Sequence, residues 1–85
     1  MVIEEVLEHL VGGIVDNPDD VEVRTRTMRR GGQRSGSLVE VRVHPDDLGR
    51  VIGRGGRTAS ALRTVVEALA GRKVRVDFVD TVTGR

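Results

Sequence analysis

The chain has 85 residues, 38% of them hydrophobic and 32% charged, a formal net charge of +1, and no cysteine. Length and composition describe one small globular domain; the lack of cysteine excludes a disulfide framework and thiolate chemistry, and no apolar run nears the ~18 residues of a membrane span. One Phe and no Trp or Tyr leave almost nothing for base stacking on aromatic rings, so any recognition surface here must work by other means.

The charge is unevenly placed. Residues 1–22 hold seven acids (Glu4, Glu5, Glu8, Asp16, Asp19, Asp20, Glu22) and no Lys or Arg, whereas residues 23–63 hold ten arginines against Glu40, Asp46 and Asp47, a local net of +7. This asymmetry fits a face built for a polyanion, or cations scattered over unrelated solvated faces. An acidic N-terminus is unlike a secretion signal. The expectation is a soluble cytoplasmic protein with no membrane partner.

Val2, Ile3, Val6, Leu7, Leu10, Val11, Ile14 and Val15 recur at helical spacing, predicting an amphipathic helix over residues 2–15, weakened at Gly12 and Gly13. Residues 16–20, DNPDD, are a turn by composition. Val21, Val23 and Thr25 alternate with charged residues and read as a strand. Residues 28–37, MRRGGQRSGS, read as a loop. Val39, Val41 and Val43 form a second strand, paired with the first as a hairpin. HPDDLGRVIG begins a short helix, with Pro45 in its first turn and Asp46 and Asp47 at its positive end. Glycines at 53–56 break it. A longer helix follows, with Ala59, Leu62, Val65, Val66 and Leu69 on one face, and Gly71 ends it. Val74, Val76 and Phe78 alternate in a third strand, and residues 80–85 are expected to fray after a domain spanning 1–79. Helix, strand, strand, helix, helix, strand implies an α+β fold. Three helices cover one face of a mixed three-stranded sheet, with the crossover making the last two strands parallel.

The glycines carry the chemistry. The stretch RVIGRGGRTAS is not a Walker A loop, because the position five before Gly56 is Val51 and the lysine is replaced by Arg57. It is not a dinucleotide fingerprint either, since Thr58 occupies the last glycine position and a helix precedes it. It does satisfy Gly-x-x-Gly between two helices. Amides at the start of the second helix can face a phosphate, glycine lets a sugar-phosphate backbone approach, and Arg50, Arg54 and Arg57 supply counter-charge. Val51 and Ile52 offer an apolar floor for splayed bases. His9 and His44 lack partners at metal-ligand spacing, and Asp46 and Asp47 are explained by a helix start, so neither a metal, a cofactor nor an enzyme activity is expected. Arg29, Arg30 and Arg34 fit a solvated hairpin loop or a short arginine-glycine segment.

VIGRGGRTASAL (51–62) resembles the KH-domain signature, and the element order resembles the type II KH arrangement. VDNPDDVEVR, VHPDDLGRVIGRGGRTASALRTV and KVRV resemble the small stand-alone bacterial KH proteins of the KhpA family, over roughly residues 2–78. The resemblance implies a single-stranded RNA groove clamping about four nucleotides. It would be built from Arg50, Val51, Ile52, Gly53, Arg54, Gly55, Gly56, Arg57 and Thr58, with residues 29–37, including Arg30 and Arg34, as the other wall. It also implies chaperone-like RNA regulation tied to cell shape and envelope growth, and a homodimer or a complex with a larger KH-containing protein. The dimer expectation rests on the face of Val2, Ile3, Val6 and Leu10 and on the last strand. Gly55 departs from the common pattern, which has a longer or polar residue there. A KH domain serving mainly as a dimerisation or protein-interaction module is the competing expectation.

Overall fold

Leu7 and Val11 lie one helical turn apart on α1 (Ile3–Gly12) and are fully buried, which fixes the face this helix turns inward. The computed structural model describes residues 3–84, with residues 28–30 and 33–35 described by backbone alone. Helix α1 ends at Gly12, short of the expected residue 15. Gly13 donates to the His9 carbonyl, and Ile14 and Val15 both donate to that of Val11, turning the chain while Val15 stays in the core. A 3-10 turn, Pro18–Asp20, then leads into the sheet.

Strand β1 (Glu22–Arg30) pairs antiparallel with β2 (Gln33–Val43), and β2 pairs parallel with β3 (Arg75–Asp80), giving the order β1-β2-β3. Val39, Val41 and Val43 are buried with Val23, Val74 and Val76 on one face of the sheet. The residues between them point the other way and form ion pairs: Arg42 with Glu40 at 2.8 Å and Arg75 with Asp77 at 3.3 Å. This period of two is what the alternating sequence specifies.

The expected loop at 28–37 is instead strand. Both strands continue until only Gly31 and Gly32 remain unpaired between Arg30 and Gln33. Their φ values of 60° and 83° are those of the two-residue turn whose twist matches a hairpin, so glycines that suggested a long loop make a tight one. Ser35 is the extra residue of a bulge, because Met28 faces Gly36 and Arg29 faces Arg34.

A 3-10 turn (Pro45–Asp47) opens α2 (Leu48–Ile52). After the glycines, α3 (Arg57–Ala70) runs fourteen residues to Gly71, whose φ of 69° caps it. Val51, Leu62 and Val66 join the core formed with α1 and the sheet, and Ala59 is buried, so all three helices cover one face, as the element order implied. Val65 and Leu69, expected in the core, are 38% and 40% exposed. The buried series 59, 62, 66 follows the helical period; Val65 and Leu69 lie on the Leu62 edge of that face, about 60° and 20° round from Leu62, where the covering by the sheet and α1 runs out.

Asp47 has a different task from the one its position suggests. It is 1% exposed and caps no amide of its own helix. Its carboxylate accepts hydrogen bonds from the Asp16 amide at 3.2 Å, the Asn17 amide at 3.0 Å and Asn17 Nδ2 at 3.1 Å, fastening the α1–β1 connection to the start of α2. Burial pushes this carboxyl up, but the hydrogen bonds outweigh it and hold it below the ordinary range. At the other end of the chain, the Thr81 amide continues the ladder to the Val43 carbonyl. The Asp80 carboxylate accepts from the Val82 and Thr83 amides and the Thr83 hydroxyl, closing a turn after β3.

Candidate nucleic-acid interface

The glycine loop is shaped from two directions. Gly53 ends α2 with φ 78° and ψ 172°, its amide donating to the Gly49 carbonyl. A Cβ there would stand 2.9 Å from Thr58 Cβ and 3.0 Å from the Thr58 amide, so the first turn of α3 packs directly onto this glycine. Gly55 and Gly56 differ. Both have positive φ, 63° and 76°, and a Cβ on either would meet nothing within 4 Å. Their backbone is therefore open to an approaching molecule.

Gly56 is the N-cap of α3 and offers no side chain to its amides. The first turn of α3 contains no acid and includes Arg57, whereas α1 begins with Glu4 and Glu5 and the 3-10 turn before α2 carries Asp46 and Asp47. The Gly56 and Arg57 amides donate to the Gly53 and Arg54 carbonyls, so this basic helix start, which has no side-chain cap, attracts anions chiefly through its dipole and its arginines. Arg54 and Arg57 are exposed beside it. Arg50 is engaged elsewhere: its Nη1 lies 2.9 Å from Asp16 Oδ1 in an exposed ion pair. Thr58 is half-buried against Gly53, and Val51 is fully buried, supporting the loop from beneath rather than facing outward.

Beside the loop lies a cleft of about 290 Å³. Ile52, 37% exposed, and Gly56 form its loop end, Ala59 and Arg63 its α3 wall, and Phe78, flanked by Asp77 and Val79, its sheet wall. Arg63 spans the cleft. Its Nε donates to the Val76 carbonyl at 3.2 Å, and its guanidinium lies 5.7 Å from the centroid of the Phe78 ring.

That hydrogen bond also locates the free edge of β3. The Val76 carbonyl points away from β2, while the Thr81 amide points toward it at Val43. Backbone groups alternate along a strand, so the Phe78 amide and carbonyl face outward into the cleft with those of Val76. An N–H and a C=O side by side above an apolar floor can pair with the edge of a planar base, and the loop can hold its phosphate.

The structure thus brings Ile52, Gly53, Arg54, Gly55, Gly56, Arg57 and Thr58 together around one loop and cleft. The side chains of Arg30 and Arg34 lie outside the described residues. Their backbones flank the hairpin turn, past Leu38 and Arg75 where pairing with β3 begins. Arg63, Phe78, Asp77, Val79 and Ala59 were not among the expected site residues. Their signal was the crossover itself: the last strand must lie beside the helix that follows the glycines, so one side of that helix and the lone aromatic of the strand face one another. The dimer face expected on α1 is largely used internally, with Ile3 and Leu10 packed against the core; Val2 lies outside the described residues. Among the described residues no group of three or more His, Asp or Glu could hold a metal ion, and no helix is long and apolar enough to cross a membrane.

A family model described as the KH domain of KhpA/KhpB matches residues 4–78. The RNA-binding protein KhpA of Streptomyces coelicolor is 68% identical over 79 residues, covering 93% of this chain and 94% of that protein. The RNA-binding protein KhpA of Mycobacterium tuberculosis is 64% identical over 80 residues, covering 94% of each. Among solved structures, Era in complex with MgGDPNP and nucleotides 1506–1542 of 16S ribosomal RNA superposes with a TM-score of 0.57 at 15% identity, over 92% of this chain and 29% of that one. Era of Aquifex aeolicus gives 0.59 at 17% identity, over 92% of this chain and 30% of that one. Those two similarities concern the fold alone.

Proposed function

Because this chain belongs to the KhpA/KhpB KH-domain family, we propose that it binds single-stranded RNA in the cleft between the glycine loop, α3 and β3. One observation carries the reading: the open, positive-φ backbone of Gly55 and Gly56 leads into an uncapped helix start beside Arg54 and Arg57. A phosphodiester sits against the open glycine backbone at the positive end of α3, bases lie on Ile52 and Ala59, and the Phe78 backbone on the free edge of β3 meets their hydrogen-bonding edges. Phe78 adds one ring face, and Arg63 keeps its position over it. The protein binds without transforming its ligand. Chaperone-like action on RNA in the cytoplasm, linked to cell shape and envelope growth and shared with a larger KH-containing partner, follows from the family resemblance and rests on this binding.

Fluorescence anisotropy with a labelled six-nucleotide RNA across a salt series tests it. Arg54 and Arg57, exposed beside the helix start, are the expected phosphate contacts and set the dependence. The log-log slope is expected near about −1.4, falling by about 0.7 in Arg54→Ala. Binding with a flat salt response contradicts the phosphate-clamp reading.

A second reading, an interaction module, is favoured by the outward side of α3, where Val65 and Leu69 stand exposed beside Ala61 and Ala68. The occupant is a second copy of the chain. Sedimentation of wild type against Leu69→Glu at micromolar concentration tests this, and a wild-type monomer rules it out.

A further inference from the structure

Val23 stands at the centre of a short run whose charges mirror one another with opposite sign. Asp20 and Glu22 precede it, Arg24 and Arg26 follow it, and the uncharged residues between them are Val21 and Thr25. The run leads into and forms the first half of β1, an edge strand of the sheet. One side of β1 pairs with β2, and among the described residues no strand pairs with the other.

The ladder fixes which backbone groups face that free side. The Thr81 amide donates to the Val43 carbonyl, so Val43, and with it Val41 and Val39, turn their backbone groups toward β3. Leu38, Glu40 and Arg42 therefore turn theirs toward β1, where they face Arg26, Arg24 and Glu22. The N–H and C=O of Val23 and Thr25 are left pointing out of the sheet. The extended Val21 continues the alternation with its carbonyl, its N–H being held by the Pro18 carbonyl at 3.2 Å.

Edge strands are commonly guarded by charged side chains, which repel a second copy when their signs are alike. On β1 the signs attract one. Antiparallel pairing about a two-fold axis through Val23 sets Val23 against its own copy, Val21 against Thr25, Glu22 against Arg24 and Asp20 against Arg26. Every opposed charge then has the opposite sign. The neighbouring registers do not share this property: an axis through Glu22 or Arg24 opposes that residue to itself, and an axis through Thr25 opposes Arg24 to Arg26. The favoured register also joins the outward backbone groups. Val23 exchanges two hydrogen bonds with its copy, and each Thr25 amide meets a Val21 carbonyl. On the helix-covered face, Thr25 lines a hollow of about 330 Å³ with Ile3, Val39 and Val74. The second copy's Val21 would lie beside Thr25 at this uncovered end.

We infer that the free edge of β1 is a self-association surface, on which a second copy of this chain adds antiparallel to make one continuous six-stranded sheet. The cleft opens on β3, at the opposite edge, so each copy keeps its own and the pair presents two.

Sedimentation equilibrium and water-exchange NMR of the whole chain at up to about 0.5 mM in low salt test this, a concentration suited to an interface well below about 1,200 Å². Wild type is expected to dimerise, with the Val23 and Thr25 amides exchanging about threefold more slowly at the highest concentration than in dilute solution. Glu22→Arg and Arg24→Glu each set like charges opposite one another twice, so each alone should weaken self-association about tenfold. Mixed in equal amounts, the two variants restore every opposite-sign pair and should associate as wild type does. Thr25→Pro removes an N–H that β2 does not use, and should give a folded monomer by circular dichroism. A wild-type monomer at the highest concentration overturns the proposal. So does a mixture that associates no better than its components, an outcome that decides the matter even if Thr25→Pro fails to fold. A dimer that survives both charge variants but is lost in Leu69→Glu places the contact on α3 and overturns the β1 edge.

Discussion

Gly53 and Gly55 stand two residues apart and are glycines for different reasons, which alanine substitutions separate. At Gly53 an added methyl group meets Thr58 and the backbone occupies a region that side chains avoid, so Gly53→Ala should cost about 3 kcal/mol in urea unfolding. At Gly55 only the left-handed conformation is strained, and Gly55→Ala should cost about 1 kcal/mol. Equal costs would contradict the packing of α3 on the loop. Asp47 offers a second residue-scale test. Its folded carboxyl titrates below its unfolded value, so its hydrogen bonds stabilise the protein fully above the ordinary carboxylate range. That contribution is lost as pH falls through the lower, folded-state value. Asp47→Asn should lower Tm at pH 7, and the gap between it and wild type should narrow below about pH 4. A gap that does not change with pH would show that the charge is irrelevant.

At the scale of elements, the two faces of α3 give a mutational contrast. Leu62→Ala removes a core side chain and should cost about 3 kcal/mol, while Leu69→Ala, on the exposed side, should cost less than about 1 kcal/mol. Reversed costs would restore the inward face that hydrophobic spacing alone suggested. That error shows where the sequence stops being legible. Val65 and Leu69 are apolar and near the right period, and only the position of the sheet decides which hundred degrees of the helix is covered. The hairpin shows the same limit from the other side. Its polar, glycine-rich end lacks the apolar alternation that marks a strand, yet backbone pairing alone extends it to the Gly31–Gly32 turn. The glycine loop and its arginines were readable because they are contiguous. The β3 wall of the cleft and the Asp47–Asn17 fastening were not, since each joins residues far apart in the chain.

Charge is unevenly spread over the whole molecule. The end where Val43 meets Asp80 gathers Asp16, Asp46 and Asp47, with the glycine loop and its cleft close by at the start of α3, and the opposite end carries the arginine-rich hairpin sequence, with Glu4 and Arg72 at its root. A net charge of +1 conceals this distribution. Among these acids, Asp16 forms an exposed ion pair with Arg50. The central claim is that the loop glycines admit a phosphate backbone, and the double variant Arg54→Asp/Gly55→Asp tests it most directly. Both positions face outward, and Asp tolerates positive φ better than most residues, so circular dichroism should show a folded protein with Tm lowered by only a few degrees. In the cleft, two carboxylates replace one cation in front of the helix-start amides. Anisotropy with the six-nucleotide RNA should show binding abolished; a folded double variant that binds this RNA as the wild type does would contradict the account.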